Sequence, residues 1–207
     1  MDKILCLGKN FPLHAEELGE KQPPFPVIFA KFPSVLFEVE PYSGQRVELS
    51  SKPQEIHHEL EVVLRISRSG SDIAERDALH FIDAVTVGLD LTDRPLQDVL
   101  KKKGHPWTLA KNFCNAAIVG PFVPINEFSD FLDEPFSLEI DQALKQRAKL
   151  SEAFFGPAQA ISYLSKHFEL LEGDLVFMGT PTGVGPLKRE QIVCLKYGPI
   201  DITFQTV

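Results

Sequence analysis

The chain has 207 residues, 43% hydrophobic and 24% charged, enough to bury a core and ordinary for a globular protein. Its 21 Lys and Arg against 29 Asp and Glu give a formal charge of −8, which excludes a nucleic-acid surface built on clustered cations. Three cysteines without metal or redox spacing (Cys6, Cys114, Cys194), with no leader and no bilayer-length apolar run, predict a reduced, cytoplasmic protein without a membrane partner.

Short segments rich in β-branched and aromatic residues, bounded by Pro, Gly, Ser or Asp, predict strands at 3–8, 26–32, 59–66, 84–91, 136–140, 174–179, 192–198 and 202–207. Helices are expected at 12–19, at 72–83 with Asp72 as N-cap, and at 157–168 with a proline early. The run 101-KKKG-104 reads as a solvated helix end. Strands dominate and the helices do not alternate with them. The expected class is therefore α+β, mainly β: an antiparallel β-sandwich roll with peripheral helices, in one domain over 1–207.

The segment 57-HHELEVVLRI-66 becomes a buried strand from Leu60 onward, yet carries Glu59 and Glu61 at its mouth. Residues i and i+2 of a strand share a face, so the two carboxylates stand side by side and repel unless a cation lies between them. In 84-AVTVGLDL-91, Asp90 likewise interrupts a run that otherwise belongs in a core. A buried carboxylate must be paired or coordinate a metal. Glu59, Glu61 and Asp90 form an all-oxygen set suited to Mg2+ or Mn2+, less so to zinc, which more often brings His or Cys.

In this light the chain resembles the fumarylacetoacetate hydrolase family, in particular its short acylpyruvase-like members. The resemblance is carried by 6-CLGKNFPLHAEELG-19, 57-HHELEVVL-64, 88-GLDLTDRPLQ-97, 106-PWTLAKNF-113 and 173-GDLVFMGTPTGVGPL-187, in the family's order. It implies a homodimeric β-sandwich roll with a Mg2+ or Mn2+ cofactor, acting on small dicarbonyl acids. Glu59, Glu61 and Asp90 match the family's metal ligands. His14 and Glu17, three apart and so on one helix face, match a dyad that takes a proton from water; read alone, His14 is a surface histidine. Glu16 points elsewhere.

By the same matching, Arg94 and Gln97 face substrate, Lys111 reaches toward the metal as a catalytic and substrate-binding group, and Thr180 lies near the substrate carboxylate. The alternative for Arg94 is a surface pair with Asp93 or Asp98. His57 and His58 are left outside the ligand set, and Trp107 is core or pocket wall.

The match departs at Pro95 and Cys114, and in 140-IDQALKQRAKLSEAFFG-156, where Asp141-Gln142 replaces an Asn-Gly turn and Leu150 a threonine. Asp-Gln is expected to support a tight hairpin poorly, and Leu150 to alter the distal wall of the substrate site. The first expectation for function is a metal-dependent hydrolase of C–C bonds in acylpyruvate-type 1,3-diketo acids. Decarboxylation or tautomerisation of oxaloacetate and double-bond isomerisation use the same enolate, and a weakly active metal-binding relative is the third possibility.

Overall fold

A computed structural model describes residues 1–13, 22–41 and 44–207. In chain order the strands are β1 (Ile4–Gly8), β2 (Val27–Lys31), β3 (Leu36–Glu38), β4 (Gln45–Val47), β5 (Ile56–His58), β6 (Leu60–Ile66), β7 (Ile82–Asp90) and β8 (Thr92–Asp93). They continue as β9 (Ala117–Val119), β10 (Val123–Pro124), β11 (Pro135–Ile140), β12 (Ala143–Lys149), β13 (Leu175–Phe177), β14 (Gly185–Pro186), β15 (Ile192–Tyr197) and β16 (Ile200–Thr206). The helices that lie wholly among the described residues are α1 (Glu75–Ala78), α2 (Arg94–Lys103), α3 (Thr108–Lys111) and α4 (Pro157–Ser165).

The larger sheet runs β2-β1-β13-β6-β7-β9-β3, with β10 beside β7. A five-stranded sheet, β12-β11-β15-β16-β4, packs on it through β11 against β6 and β15 against β7. Most pairs are antiparallel; β1–β13, β3–β9 and β4–β16 are parallel. The expected mainly β class with peripheral helices is the observed one.

The centre of the larger sheet positions the site. Leu60, Val62, Val63, Leu64 and Ile66 are buried and only Arg65 of β6 reaches solvent, so the strand is covered on both faces. β6 and β7 pair with Leu60 opposite Leu89 and Glu61 opposite Gly88. A Cβ on Gly88 would come within 2.4 Å of the Ile118 carbonyl, so only glycine lets β9 approach here. At the mouth, β5 pairs with both β8 and β14 in a small three-stranded sheet.

Several expectations change. The segment 72–83 holds only α1 and a 3-10 turn before Ile82 enters β7, because that segment's end is claimed by a nine-residue central strand. Asp72 is not its cap: it has φ 50°, and Ala74 precedes the helix. Of 12–19, Pro12 and Leu13 are helical, and 14–19 lie outside the described residues. The helix end expected at 101–104 is the end of α2, whose start was not expected: Asp93 caps it through Leu96 N, Pro95 opens it, and Gly104 at φ 66° closes it after three lysines.

The 140–156 segment also differs. Asp141 and Gln142 take φ 51° and 66°, the left-handed pair that a two-residue hairpin needs. Asp141 secures the turn by accepting from Ile192 N at 2.9 Å and Gln191 Nε2 at 3.1 Å. The β11–β12 hairpin therefore forms without Asn-Gly.

Candidate metal centre and substrate cleft

Glu59, in the one-residue joint between β5 and β6, Glu61 of β6 and Asp90 at the end of β7 come together at the buried end of the larger sheet. One oxygen from each lies within 4.8 Å of the others. The Asp90 N–H donates to the Glu59 carbonyl at 2.8 Å, tying the two strand ends. All three residues are buried, at 6%, 1% and 0% exposure.

Cations reach two of these acids. Lys111 Nζ donates to Glu59 Oε2 at 2.8 Å, Asp90 Oδ2 at 2.5 Å and Thr92 Oγ1 at 2.6 Å. Arg94 pairs with Glu59 and donates to Gln97 Oε1 at 2.5 Å. This replaces the alternative partners Asp93 and Asp98. Glu61 Oε2 accepts the Gly179 N–H at 2.7 Å.

Burial, and then the neighbouring charges of Asp90 and Glu59, push the Glu61 carboxyl well above its usual range. Burial also raises Asp90, against the pull of Lys111 and Lys31. Burial opposes the Lys111 charge as well, but Asp90 and Glu59 outweigh it and hold that ammonium above the ordinary lysine range.

Lys31 is the residue that sequence reasoning missed. It ends β2 with no exposed side chain, 2.7 Å from Asp90 Oδ1. It donates to the carbonyls of Leu91, Lys111 and Ala116 at 3.1, 2.6 and 2.8 Å. The signal was present, since a charge interrupting 26-PVIFAKF-32 is the same anomaly that singled out Asp90. Despite the close ammonium, Asp90 Oδ1 receives no aligned hydrogen bond. Three buried carboxylates whose oxygens converge within 4.8 Å make an all-oxygen donor set. The donor set therefore fits a hard divalent ion.

A cavity of about 30 Å3 opens beside the acids, lined among others by Lys9, Phe29, Arg94, Lys101, Trp107 and Thr180. Phe29 and Trp107 are ring partners with centroids 5.6 Å apart, with Lys111 4.7 Å from the Phe29 ring centre. Lys101 stands 5.2 Å from the Trp107 centroid. Lys101 was read only as a helix end, yet α2 turns it, with Arg94 and Gln97, toward this cleft.

The structure thus gathers Glu59, Glu61, Asp90, Arg94, Gln97, Lys111 and Thr180 in one place. His14 and Glu17 lie outside the described residues. His58 instead turns away to Gln146, and burial lowers its pKa to about 4, so it is neutral at pH 7. His57 pairs with Glu55. Cys114 is exposed. Leu150 does not form the distal wall: the 3-10 turn 150–152 tucks it wholly into the core.

Residues 3–200 match the family described as fumarylacetoacetate (FAA) hydrolase C-terminal. The chain belongs to that family. It is 34% identical over 203 residues to the rice (Oryza sativa subsp. japonica) protein named oxaloacetate tautomerase FAHD2, mitochondrial, covering 98% of this chain and 89% of the relative. It is 32% identical over 191 residues to the Dictyostelium discoideum oxaloacetate decarboxylase, mitochondrial, covering 92% and 86%. Among solved structures, fumarylpyruvate hydrolase from Pseudomonas aeruginosa, in complex with Mn2+ and pyruvate, superposes with a TM-score of 0.94 at 31% identity. That match covers 100% of this chain and 90% of the other.

Proposed function

We propose that this chain is a divalent-metal-dependent enzyme acting on the enol of a short 2-oxodicarboxylic acid, with tautomerisation of oxaloacetate as its leading reaction. The observation that carries this reading is the charge layout of the cleft, where Lys9, Arg94 and Lys101 line the space beside the acid triad. A substrate with a second carboxylate answers those cations; an acyl chain does not. The names of the rice and Dictyostelium relatives point the same way. This reverses the order expected from sequence, where hydrolysis came first.

Glu59, Glu61 and Asp90 would hold Mg2+ or Mn2+, which when bound supplies Lewis acidity to the oxo-acid end. Arg94, which here pairs with Glu59 and donates to Gln97, would turn its planar fork to the distal carboxylate once Glu59 serves the metal. Lys111, held by Glu59, Asp90 and Thr92, places a fixed ammonium where negative charge develops on the oxo oxygen. Thr180 presents its hydroxyl to the near carboxylate. Tautomerisation then needs one proton moved between C3 and the oxo oxygen, the task assigned to His14 oriented by Glu17.

Hydrolysis of acylpyruvates is the second reading. It is favoured by a mainly apolar pocket of about 260 Å3 lined by Phe11, Pro12, Leu13, Ala148 and Pro181 together with Arg147, Glu152 and Thr182, next to Thr180 in sequence and able to take an apolar distal group. One catalytic domain over 1–207, homodimer assembly and a cytoplasmic location belong to the same proposal. Among the described residues no helix is long and apolar enough to cross a membrane.

The test follows enol disappearance from oxaloacetate, pyruvate formation and acetylpyruvate loss in parallel, with Mg2+, with Mn2+ and after chelation. Metal-dependent enol–keto exchange faster than the other two supports the proposal. Fast acetylpyruvate cleavage with no enol–keto exchange would replace it by the second reading.

A further inference from the structure

The geometry points to Gln146 as a positioning residue that locks the substrate loop 179–183 to the strand carrying Glu59 and Glu61. This rests on the proposed oxo-acid site. Gln146 stands in β12, a largely exposed edge strand, yet is itself only 1% exposed. Its amide is used completely. Oε1 accepts from the Leu60 N–H at 3.0 Å and lies 3.0 Å from His58 Nδ1. Nε2 donates to Thr180 Oγ1 and to the Pro181 carbonyl, both at 2.9 Å.

Leu60 is the residue between the two glutamates, and Thr180 lines the cleft. One side chain thus grips the backbone between two acids with one end and the substrate loop with the other. The loop also rests directly on β12: a Cβ on Gly183, at φ +94°, would lie 2.2 Å from the Lys145 carbonyl. Gly179 completes the clasp through its N–H to Glu61 Oε2. The hydroxyl of Thr180 is thereby aimed by an amide that itself touches no substrate.

Gln146→Met keeps the length but removes every one of these bonds, including a longer one from Nε2 to the Thr182 carbonyl at 3.5 Å. Gln146→Glu keeps an acceptor for Leu60 and can serve at most one of the loop acceptors, so it is the variant to use if the methionine form does not fold. The binding probe is oxalate, titrated calorimetrically into the full chain saturated with Mn2+. Both variants should weaken oxalate by about tenfold or more, the scale on which misplaced supporting groups act, while Mn2+ affinity changes little in the glutamate form. Thr180→Val should weaken oxalate similarly, and the double variant with Gln146→Met no further, because the two residues act as one unit. A purely structural role predicts additive losses.

Amide exchange in the metal-free protein gives an independent readout. Leu60 and residues 179–183 should exchange faster in Gln146→Met, and 179–183 alone in Gln146→Glu. Wild-type protein that binds neither Mn2+ nor oxalate sinks the functional reading, leaving the exchange pattern to decide the clasp. Unchanged exchange, or oxalate binding within twofold of wild type in both variants, overturns the role of Gln146.

Discussion

Lys31 Nζ lies 2.7 Å from Asp90 Oδ1, and neither side chain has any exposed surface. The pair joins the edge-strand end of β2 to the inner end of β7, and the same ammonium is wrapped by three carbonyls. Removing one partner of a buried pair typically costs about 3–5 kcal/mol when the other charge is left alone; Asp90 keeps Lys111 at 2.5 Å, which places the loss of Lys31 toward the lower end of that range. Lys31→Met should lose stability on that scale in urea unfolding, and added Mn2+ should recover part of it by relieving Asp90. A loss under about 1 kcal/mol would mean that the pair contributes little beyond a surface ion pair.

Glu61 receives its hydrogen bond from a backbone amide rather than a side-chain cation. Glu61→Gln keeps that contact and removes only charge. It should reduce Mn2+ affinity by at least about tenfold, since even residues supporting a ligand are worth that much, with little change in the metal-free melting temperature. Unaltered Mn2+ binding by calorimetry would remove Glu61 from the ligand set.

His14→Ala and Glu17→Ala should each lower turnover by about 10²–10⁴-fold, the usual gain from a positioned acid or base, while Glu16→Ala should do little. Parallel assays on oxaloacetate and acetylpyruvate show which proton transfer the dyad serves. Full activity of His14→Ala on both substrates would move that role elsewhere.

Asp174 fastens the start of the chain. It accepts from the Asp2 and Lys3 amides at 2.9 and 3.0 Å, from Lys3 Nζ at 2.7 Å and from the Leu171 amide at 2.8 Å. Burial alone would raise this carboxyl, but those donors outweigh it and hold it below the usual aspartate range. A depressed folded pKa means the stabilisation is complete above the unfolded value near 3.9 and is lost as pH falls through the folded one. Asp174→Asn should therefore cost about 1–3 kcal/mol at neutral pH, with the gap to wild type closing in acid below about pH 4. A gap that stays constant into acid would contradict the charged role.

Much of this architecture was legible in the residues. Charges that interrupt apolar strands mark the acid cluster, because burying an unpaired carboxylate is too costly to happen by accident. Lys31 carries the same mark and was passed over, since lysines are so often exposed that a single one attracts no suspicion. Only the end of α2 is legible at 101–104, although Asp93, Pro95 and Gly104 frame the whole helix: it is amphipathic but polar on average, with Gln97 and Leu100 its only buried residues, so no apolar run draws attention to it. The hairpin at Asp141 and the burial of Leu150 depend on contacts distant in sequence, Ile192 and the core, which no local pattern contains.

The central claim is that the cationic cleft beside a metal-binding triad handles the enol of a short oxodicarboxylate. Its most direct test is the rate of oxaloacetate enol–keto exchange by the purified chain, with Mn2+, after chelation, and in Arg94→Ala. Exchange should be fast with Mn2+, fall to the uncatalysed rate on chelation, and show a KM raised about tenfold or more when the Arg94 fork is removed. Exchange that persists undiminished after chelation, or an unchanged KM in Arg94→Ala, would contradict it.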